Sequence, residues 1–338
     1  MRSLSPWGAV VPTLAMLVAT GCGAPADPRG STSGSGAGSV SVDSCGRKVV
    51  FDSPPERVMA IGSEAPSLLV AAGAGERITH YAGSLEVPFD DATSALVEGA
   101  ERITEDSHDV SFEMIVSSGV DAVIGTDITS GIDIDALADR LDRAGVQLLT
   151  VSGYCAGIES RSTHGVSGFD LIYRDIETYG RLFGTEQTAK RAVQELQDRV
   201  ASVTDRAEGA QQSAVPLYVP AEGTLGSYGG QSLVSEQMTK LGLDNVFADV
   251  SKRYFEPSTE ELVDSAPDLV FAMYLPTGSS SLESDQDVVE ELRGRPELAG
   301  LEAVGEDSAV LPLNYFYTSP GPLAIDGLEL LADRLAAS

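Results

Sequence analysis

Tyrosines are the residues of this chain best suited to gripping something. There are ten of them. Tyr81, Tyr154, Tyr228, Tyr254, Tyr274, Tyr315 and Tyr317 fall in or beside loops that follow predicted strands, with Phe316 between the last two and Ser63 at another strand end. A phenol ring offers a flat apolar face and a hydroxyl at low entropic cost, a combination suited to a large, partly polar ligand. A phenolate also binds ferric iron directly, which makes Tyr315 and Tyr317 candidate metal ligands; otherwise their rings pack against a ligand or against the protein. Arg161, Lys252 and Arg253 occupy loops near the same face and could neutralise anionic oxygens through charge-assisted hydrogen bonds. Plain surface solvation is the alternative for all three.

Other chemistries are poorly supplied. His80, His108 and His164 are scattered through the first half without paired spacing, so a bare metal site is disfavoured. His80 is read as structural, although its neighbour Tyr81 leaves contact with a ligand open. The sequence holds no G-x-S-x-G, H-E-x-x-H, C-x-x-C or P-loop motif, and Gly73-Ala74-Gly75 lacks the third glycine of a dinucleotide fingerprint. A surface hydrolase is therefore the weaker, rival class. An adhesion protein would have no use for the aromatic loops.

The beginning of the chain bears on where it works. Residues 1–21 carry one charge, Arg2, and an apolar run from Trp7 to Ala19 that is too short to span a bilayer comfortably. Ala19-Thr20-Gly21-Cys22 resembles the lipobox of bacterial lipoproteins. That resemblance implies cleavage before Cys22 and acylation of its thiol; an ordinary secretory signal is the alternative. Gly23 to Val40 is almost all Gly, Ser, Ala and Pro, a flexible coil reaching about 25 Å on average. The expected division is thus signal peptide 1–21, lipid anchor and tether 22–44, and a folded body beyond. Two further cysteines, Cys45 and Cys155, would outside the cytoplasm either pair or stay as buried thiols. A bridge would close a loop of about 110 residues, worth about 4–5 kcal/mol in the chain-entropy model.

The body of about 295 residues is long enough for two lobes, and a hydrophobic content of 42% supports a substantial core. A net charge of −29 and a pI near 4.2 argue against nucleic-acid binding and disfavour strongly anionic ligands at long range. Strands are predicted over 48–51, 57–61 and 78–82. A helix begins at Ser63, carries Glu64 in its first turn and stops at Gly73. An internal echo follows. FEMIVSSGVDAVIG (112–125) and TEELVDSAPDLVFA (259–272) share Glu, Val, Ser, Asp and Val at one constant offset, each a short helix feeding a buried strand. LLVAAGAGERI (68–78) and MTKLGLDNV (238–246) echo each other more loosely. Repetition at about this spacing suggests two similar α/β lobes. Between them, Phe169, Ile172, Ile176, Tyr179 and Phe183, then Ala189, Val193, Leu196, Val200 and Val203, give one helical segment broken at Gly184, with Thr185 as N-cap of its second half. The predicted lobes are 45–164 and 209–338, joined through 165–208 by a single long connecting helix. Val215 to Val219 and Ala309 to Leu313 read as later strands, followed by the loop NYFYTSPGP (314–322) and a final helix from Ala324 to Ala337.

Three stretches now carry a family resemblance. CGRKVVFDSPPERVMAIGSEAPSLLVAAGAGERI (45–78), EELVDSAPDLVF (260–271) and YTSPGPLAIDGLELLADRL (317–335) resemble the substrate-binding lipoproteins of ABC importers for ferric siderophores, haem and cobalamin. The resemblance implies two lobes bridged by a helix, a ligand in the cleft between them, and docking of the loaded protein on its permease. In that family one glutamate per lobe meets permease arginines, and by motif position these are Glu113 and Glu260, the same pair that the internal echo aligns. The helix dipole alone could also account for both, as solvated first-turn residues. The Cys-Gly-Arg start with a cysteine near the end of the first lobe looks like an actinobacterial branch and supports a Cys45–Cys155 bridge. The family also uses tyrosines in the loop corresponding to 314–322 as iron ligands in some members. The expectation is a monomeric, non-enzymatic binder without a resident cofactor, lipid-anchored on the extracytoplasmic face of the cell membrane and loaded with a ferric siderophore. A neutral or cationic hydroxamate complex suits the acidic charge better than a trianionic catecholate; cobalamin or haem is the alternative.

Overall fold

Side chains begin to alternate between core and solvent at Val40, inside the range read as tether. The computed structural model describes residues 39–125, 134–157, 168–207, 212–276, 280–305 and 309–337. The expected signal peptide, Cys22, Arg161 and His164 lie outside them. Strand β1 (Val40–Ser44) pairs with β2 (Arg47–Phe51), and Val42, Val49 and Phe51 face inward. The period-two pattern Val40, Val42, Ser44 is what a half-buried strand needs, so a tether can extend no further than residue 39.

The first lobe alternates strand and helix: β3 (Val58–Ile61), α1 (Glu64–Ala71), β4 (Ile78–Ala82), α2 (Asp91–Gly99), β5 (Glu101–Thr104), α3 (Phe112–Ser118), β6 (Ala122–Gly125), α4 (Ile134–Arg143) and β7 (Gln147–Thr150). The result is a parallel sheet in the order β5-β4-β3-β6-β7. Both faces are covered. Val58 and Ala60 pack with Leu68 and Leu69 of α1, while Met59, Ile61 and Val123 pack with Ile115 of α3 and Leu141 of α4.

Two helices follow, α5 (Gly168–Phe183) and α6 (Glu186–Arg206). The break at Gly184 is a reversal of the chain: Gly184 is left-handed (φ 73°), and a Cβ on Gly180 would run into the Cβ of Ala189. Nine residues of continuous helix would separate those two positions by about 13 Å. Of the two, α6 therefore carries the chain between the lobes, and α5 packs back on the first with its start against Glu236 of the second. Thr185 stands at the N-cap, but its hydroxyl donates to the carbonyl of Ala72 (2.6 Å) instead of capping α6. At the other end Arg199 reaches Asp326 (2.5 Å) and Glu329 (2.6 Å).

The second lobe contains β8 (Gln212–Tyr218), β9 (Gly226–Tyr228), α7 (Leu233–Lys240), β10 (Leu243–Asn245), β11 (Tyr254–Phe255), α8 (Thr259–Asp264), β12 (Leu269–Tyr274), α9 (Asp285–Gly294), α10 (Glu302–Gly305), β13 (Val310–Asn314) and α11 (Leu323–Ala337). Its sheet runs β11-β9-β8-β12-β13, with β10 beside β8. Asp326 and Glu329 lie on α11, so α6 is rooted in both lobes.

The internal echo is structural. Ser111 and Ser258, at equivalent positions, cap α3 and α8 through their hydroxyls. Asp121 accepts from the amides of Glu56 and Arg57 just before β3 (3.0 and 2.8 Å), and its counterpart Asp268 accepts from the amide of Ser213 in β8 (2.8 Å). The looser echo also ends alike, α1 and α7 being followed by left-handed Gly73 and Gly242. Two α/β lobes with flanked central sheets, joined by one long helix, are what the chain builds.

A Cys45–Cys155 disulfide (Cα–Cα 5.2 Å) ties the β1–β2 turn to the turn after β7. That second turn is also held from α5, where buried Asp175 accepts from the Ser152 amide (2.8 Å) and hydroxyl (2.6 Å). Burial lifts the Asp175 carboxyl from 3.8 to about 7, against the opposing pull of Ser152 and Arg174.

Two outcomes follow for stability. Replacing Cys45 and Cys155 together by Ser should lower the unfolding free energy by about 4–5 kcal/mol in denaturant titrations, and an unchanged value would rule out a bridge across this loop. Asp175 binds its proton more tightly in the native state than in the unfolded chain. Its contribution is therefore full below about pH 3.8 and is lost as pH rises through about 7. The stability of the wild type relative to D175N should accordingly fall between pH 4 and 8, by up to about 4 kcal/mol.

Candidate functional site

In each sheet the chain leaves the central strand in opposite directions: β3 has β4 on one side and β6 on the other, and β8 has β10 and β12. Ligands of open α/β sheets bind outside the carboxyl ends of the strands at such a switch point. In the first lobe β3 is followed by Gly62, whose φ of 81° turns the chain into α1 and brings Ser63 and Glu64 to that edge. Tyr154 arrives at the same edge on the turn that Cys155 and Asp175 fasten. Its hydroxyl donates to Glu64 Oε1 (2.7 Å).

The second lobe presents an arginine among tyrosines. The Arg253 guanidinium lies 5.0 Å from the centre of the Tyr154 ring, a cation–π contact that crosses between lobes. Arg253, Tyr315 and Tyr228 also lie close enough to influence one another's charge. Tyr254 meets Tyr228 edge to face at 5.4 Å, and Tyr218 meets Tyr315 likewise at 5.6 Å. Glycine makes this packing possible. A Cβ on Gly226 would strike the Tyr254 ring, and one on Gly229 would strike the carbonyls of Val250 and Lys252. The Gly-rich loop 223–232 thus lets the segment carrying Arg253 lie flat against it.

The lobes also touch beside this cluster. Gly321 lies against Glu64, Gly153 against Pro320, and Val87 of the first lobe packs with Phe316 and Leu323 of the second. Burial pushes the phenols of Tyr154 and Tyr228 well above their ordinary range, and the Glu64 charge adds to the effect at Tyr154. Both therefore act as neutral hydroxyls, able to donate and accept, and not as phenolates. The seam supplies flat rings, hydroxyls, one cation and one carboxylate.

Of the expected ligand-binding residues, Tyr154, Tyr228, Arg253, Tyr254 and Tyr315 converge here. Ser63 is buried beside Glu64, its side chain capping nothing. Four others are placed elsewhere. Tyr81 is only 1% exposed, and its hydroxyl donates to the carbonyl of Ser84, which makes it part of the core beneath the seam. Tyr274 is buried and donates to Asp285 (2.9 Å), itself paired with Arg334, so it fastens β12 to α9 and α11. Phe316 closes the apolar contact with Val87, and half-buried Tyr317 packs around that contact. Lys252 is exposed. His80 is buried and contacts Thr79 (2.9 Å) and Glu101 (3.5 Å), a structural position. Among the described residues no group of three His, Cys, Asp or Glu could hold a metal ion. Sequence reasoning missed Glu64 and Tyr218: the first read as an ordinary helix-start acid, and the second is the last residue of a strand.

Glu113 and Glu260 sit at the second helical position of α3 and α8, both exposed. Arg140 stands 4.0 Å from Glu113, and exposed Met114 and Val116 flank it. No helix among the described residues is long and apolar enough to cross a membrane.

Comparison with known proteins fits this geometry. No curated protein sequence matches the chain. A solved structure from Saccharomonospora viridis, described as an ABC-type Fe3+-hydroxamate transport system, is 28% identical, with a TM-score of 0.75 over 87% of this chain and 98% of that one. The periplasmic haem-binding protein HutB of Vibrio cholerae (16% identity, TM-score 0.63, 82% and 98% covered) shares the fold. So does the periplasmic vitamin B12-binding protein BtuF of the same organism (19%, 0.62, 84% and 98%). These relatives bind substrates for transport and are not enzymes. Residues 128–309 match the family model described as periplasmic binding protein, and with more than half of its length matched the chain belongs to that extracytoplasmic family of binding proteins that serve ABC permeases.

Proposed function

We propose that the chain is the substrate-binding lipoprotein of an ABC importer that captures a ferric siderophore, a hydroxamate complex in the first instance, between its lobes and delivers it to the permease. The observation that carries this reading is the convergence of Tyr154, Arg253, Tyr228, Tyr254 and Tyr315 from separate loops of both lobes onto one seam. A bulky chelate with an oxygen-rich surface matches such a seam: rings lie on its organic shell, and Arg253 with the neutral phenols meets its oxygens. The Saccharomonospora viridis structure, described as a hydroxamate transport protein, supports this ligand class. Cobalamin or haem is the second reading, favoured by the shared fold with BtuF and HutB. Delivery would use Glu113 and Glu260, one carboxylate per lobe, as a two-point register on permease arginines. Acylated Cys22 would hold the monomer at the extracytoplasmic face of the cell membrane, with the tract up to residue 39 as its leash.

Titrating purified protein with a ferric trihydroxamate, a ferric tricatecholate, cobalamin and haem while following Tyr and Trp fluorescence tests the ligand assignment. Saturable quenching should be tightest with the trihydroxamate, and R253A should weaken it by about 10- to 100-fold, the cost of a charge-assisted hydrogen bond. No measurable affinity for any ferric chelate would end the siderophore reading. For docking, E113K/E260K should bind the chelate as the wild type does but fail to restore its uptake in cells lacking the native chain. Unimpaired uptake would remove both residues from the docking face.

A further inference from the structure

The seam buries a carboxylate that is only half engaged. Glu64 is 3% exposed, and among the described residues its Oε2 has no hydrogen-bond partner, although Oε1 is held by Tyr154. A buried carboxylate with half its acceptor capacity idle is costly and calls for an explanation. Its location supplies one. Glu64 follows directly on the carboxyl end of β3, at the first lobe's switch point. Its hydroxyl partner Tyr154 is the ring on which Arg253 of the other lobe rests. The C-terminal lobe covers Glu64 with Gly321, a residue without a side chain, and on the same covering segment the buried hydroxyl of Ser319 is also unpartnered. Each lobe thus buries an unmet polar atom where the two meet, and Arg253 rests on the ring of the tyrosine that holds Glu64.

We propose, resting on the siderophore reading, that Glu64 is a specificity residue that accepts a cationic nitrogen of the ligand, so that the preferred chelate carries an ammonium group besides its ferric centre. The ligand is then read at two ends. Arg253 and the neutral phenols take the oxygen-rich ferric end, and Glu64 Oε2 takes the ammonium, forming inside the seam the charge-assisted bond it lacks. A tricatecholate would bring negative charge toward Glu64, and a neutral chelate would leave Oε2 buried and unpaired, which a polar site penalises strongly. The net charge of −29 favours the same choice at longer range.

The test uses one chemical pair: ferrioxamine B, a ferric trihydroxamate with a free terminal ammonium, and the same chelate with that amine acetylated. Wild-type protein should bind the ammonium form at least tenfold more tightly, and in E64Q, which keeps an oxygen for Tyr154 but loses the charge, the ratio should fall to within about twofold. The wild-type ratio stands even should E64Q fail to fold. Equal wild-type affinity for the two chelates would overturn the role of Glu64 and leave the siderophore reading intact. A preference that persists undiminished in folded E64Q would overturn it as well. Binding of neither chelate would overturn the role of Glu64 and the hydroxamate assignment together.

Discussion

Rooting α6 in both lobes is the constraint on which the rest of the molecule depends. At its start Thr185 is bonded to the end of α1; further along, Arg199 is clamped between Asp326 and Glu329 of α11. A helix of 21 residues is about 30 Å long and stiff. Fastened in this way, it sets the two sheets so that the strand ends of one meet those of the other. Glu64 and Tyr154 can then face Arg253 and Tyr315 even though as many as 251 residues separate members of the group in sequence, from Glu64 to Tyr315. The same fastening restricts the lobes to modest opening, whereas lobes joined by extended flexible strands could swing apart.

The seam itself is assembled from turns that are over-determined. The turn carrying Tyr154 is held by a disulfide to the β1–β2 hairpin, by Asp175 from α5 and by the end of β7. The segment carrying Arg253 lies on glycines that admit no side chain between them. Rigid supports of this kind keep rings and charges in place before a ligand arrives, which reduces the ordering cost of binding. Glu64 and Arg253 bring opposite charges to one dry surface without forming an ion pair there, an arrangement that leaves each able to meet a different part of a guest.

Much of this was legible in the sequence, for definite reasons. The aligned Glu113 and Glu260 mark a repeat because helix start, buried strand and the aspartates Asp121 and Asp268 must all recur for each lobe to fold. Loop position after strands named Tyr154, Tyr228, Tyr254 and Tyr315, and the fold gathers all four because strand ends face the seam. It misplaced Tyr81 and Tyr274 because position along a strand does not say to which partner a side chain turns: one found the carbonyl of Ser84, the other Asp285. Glu64 was hidden for a related reason. An acid in the first turn of a helix is ordinary, and only its burial and the contact with Tyr154 separate it from a solvated one. The reversal at Gly184 was also invisible, since helical periodicity continues on both sides whether the chain runs straight or folds back.

In the proposed function both lobes close on one bulky ferric guest at the Tyr154–Arg253 seam. Anomalous scattering at the iron edge, from crystals grown with a ferric trihydroxamate, tests it most directly. A single iron peak should lie between Tyr154 of the first lobe and Tyr315 of the second, with the chelate touching residues of both. An iron peak on an outer face of either lobe, or a seam that stays shut with the chelate bound elsewhere, would contradict it.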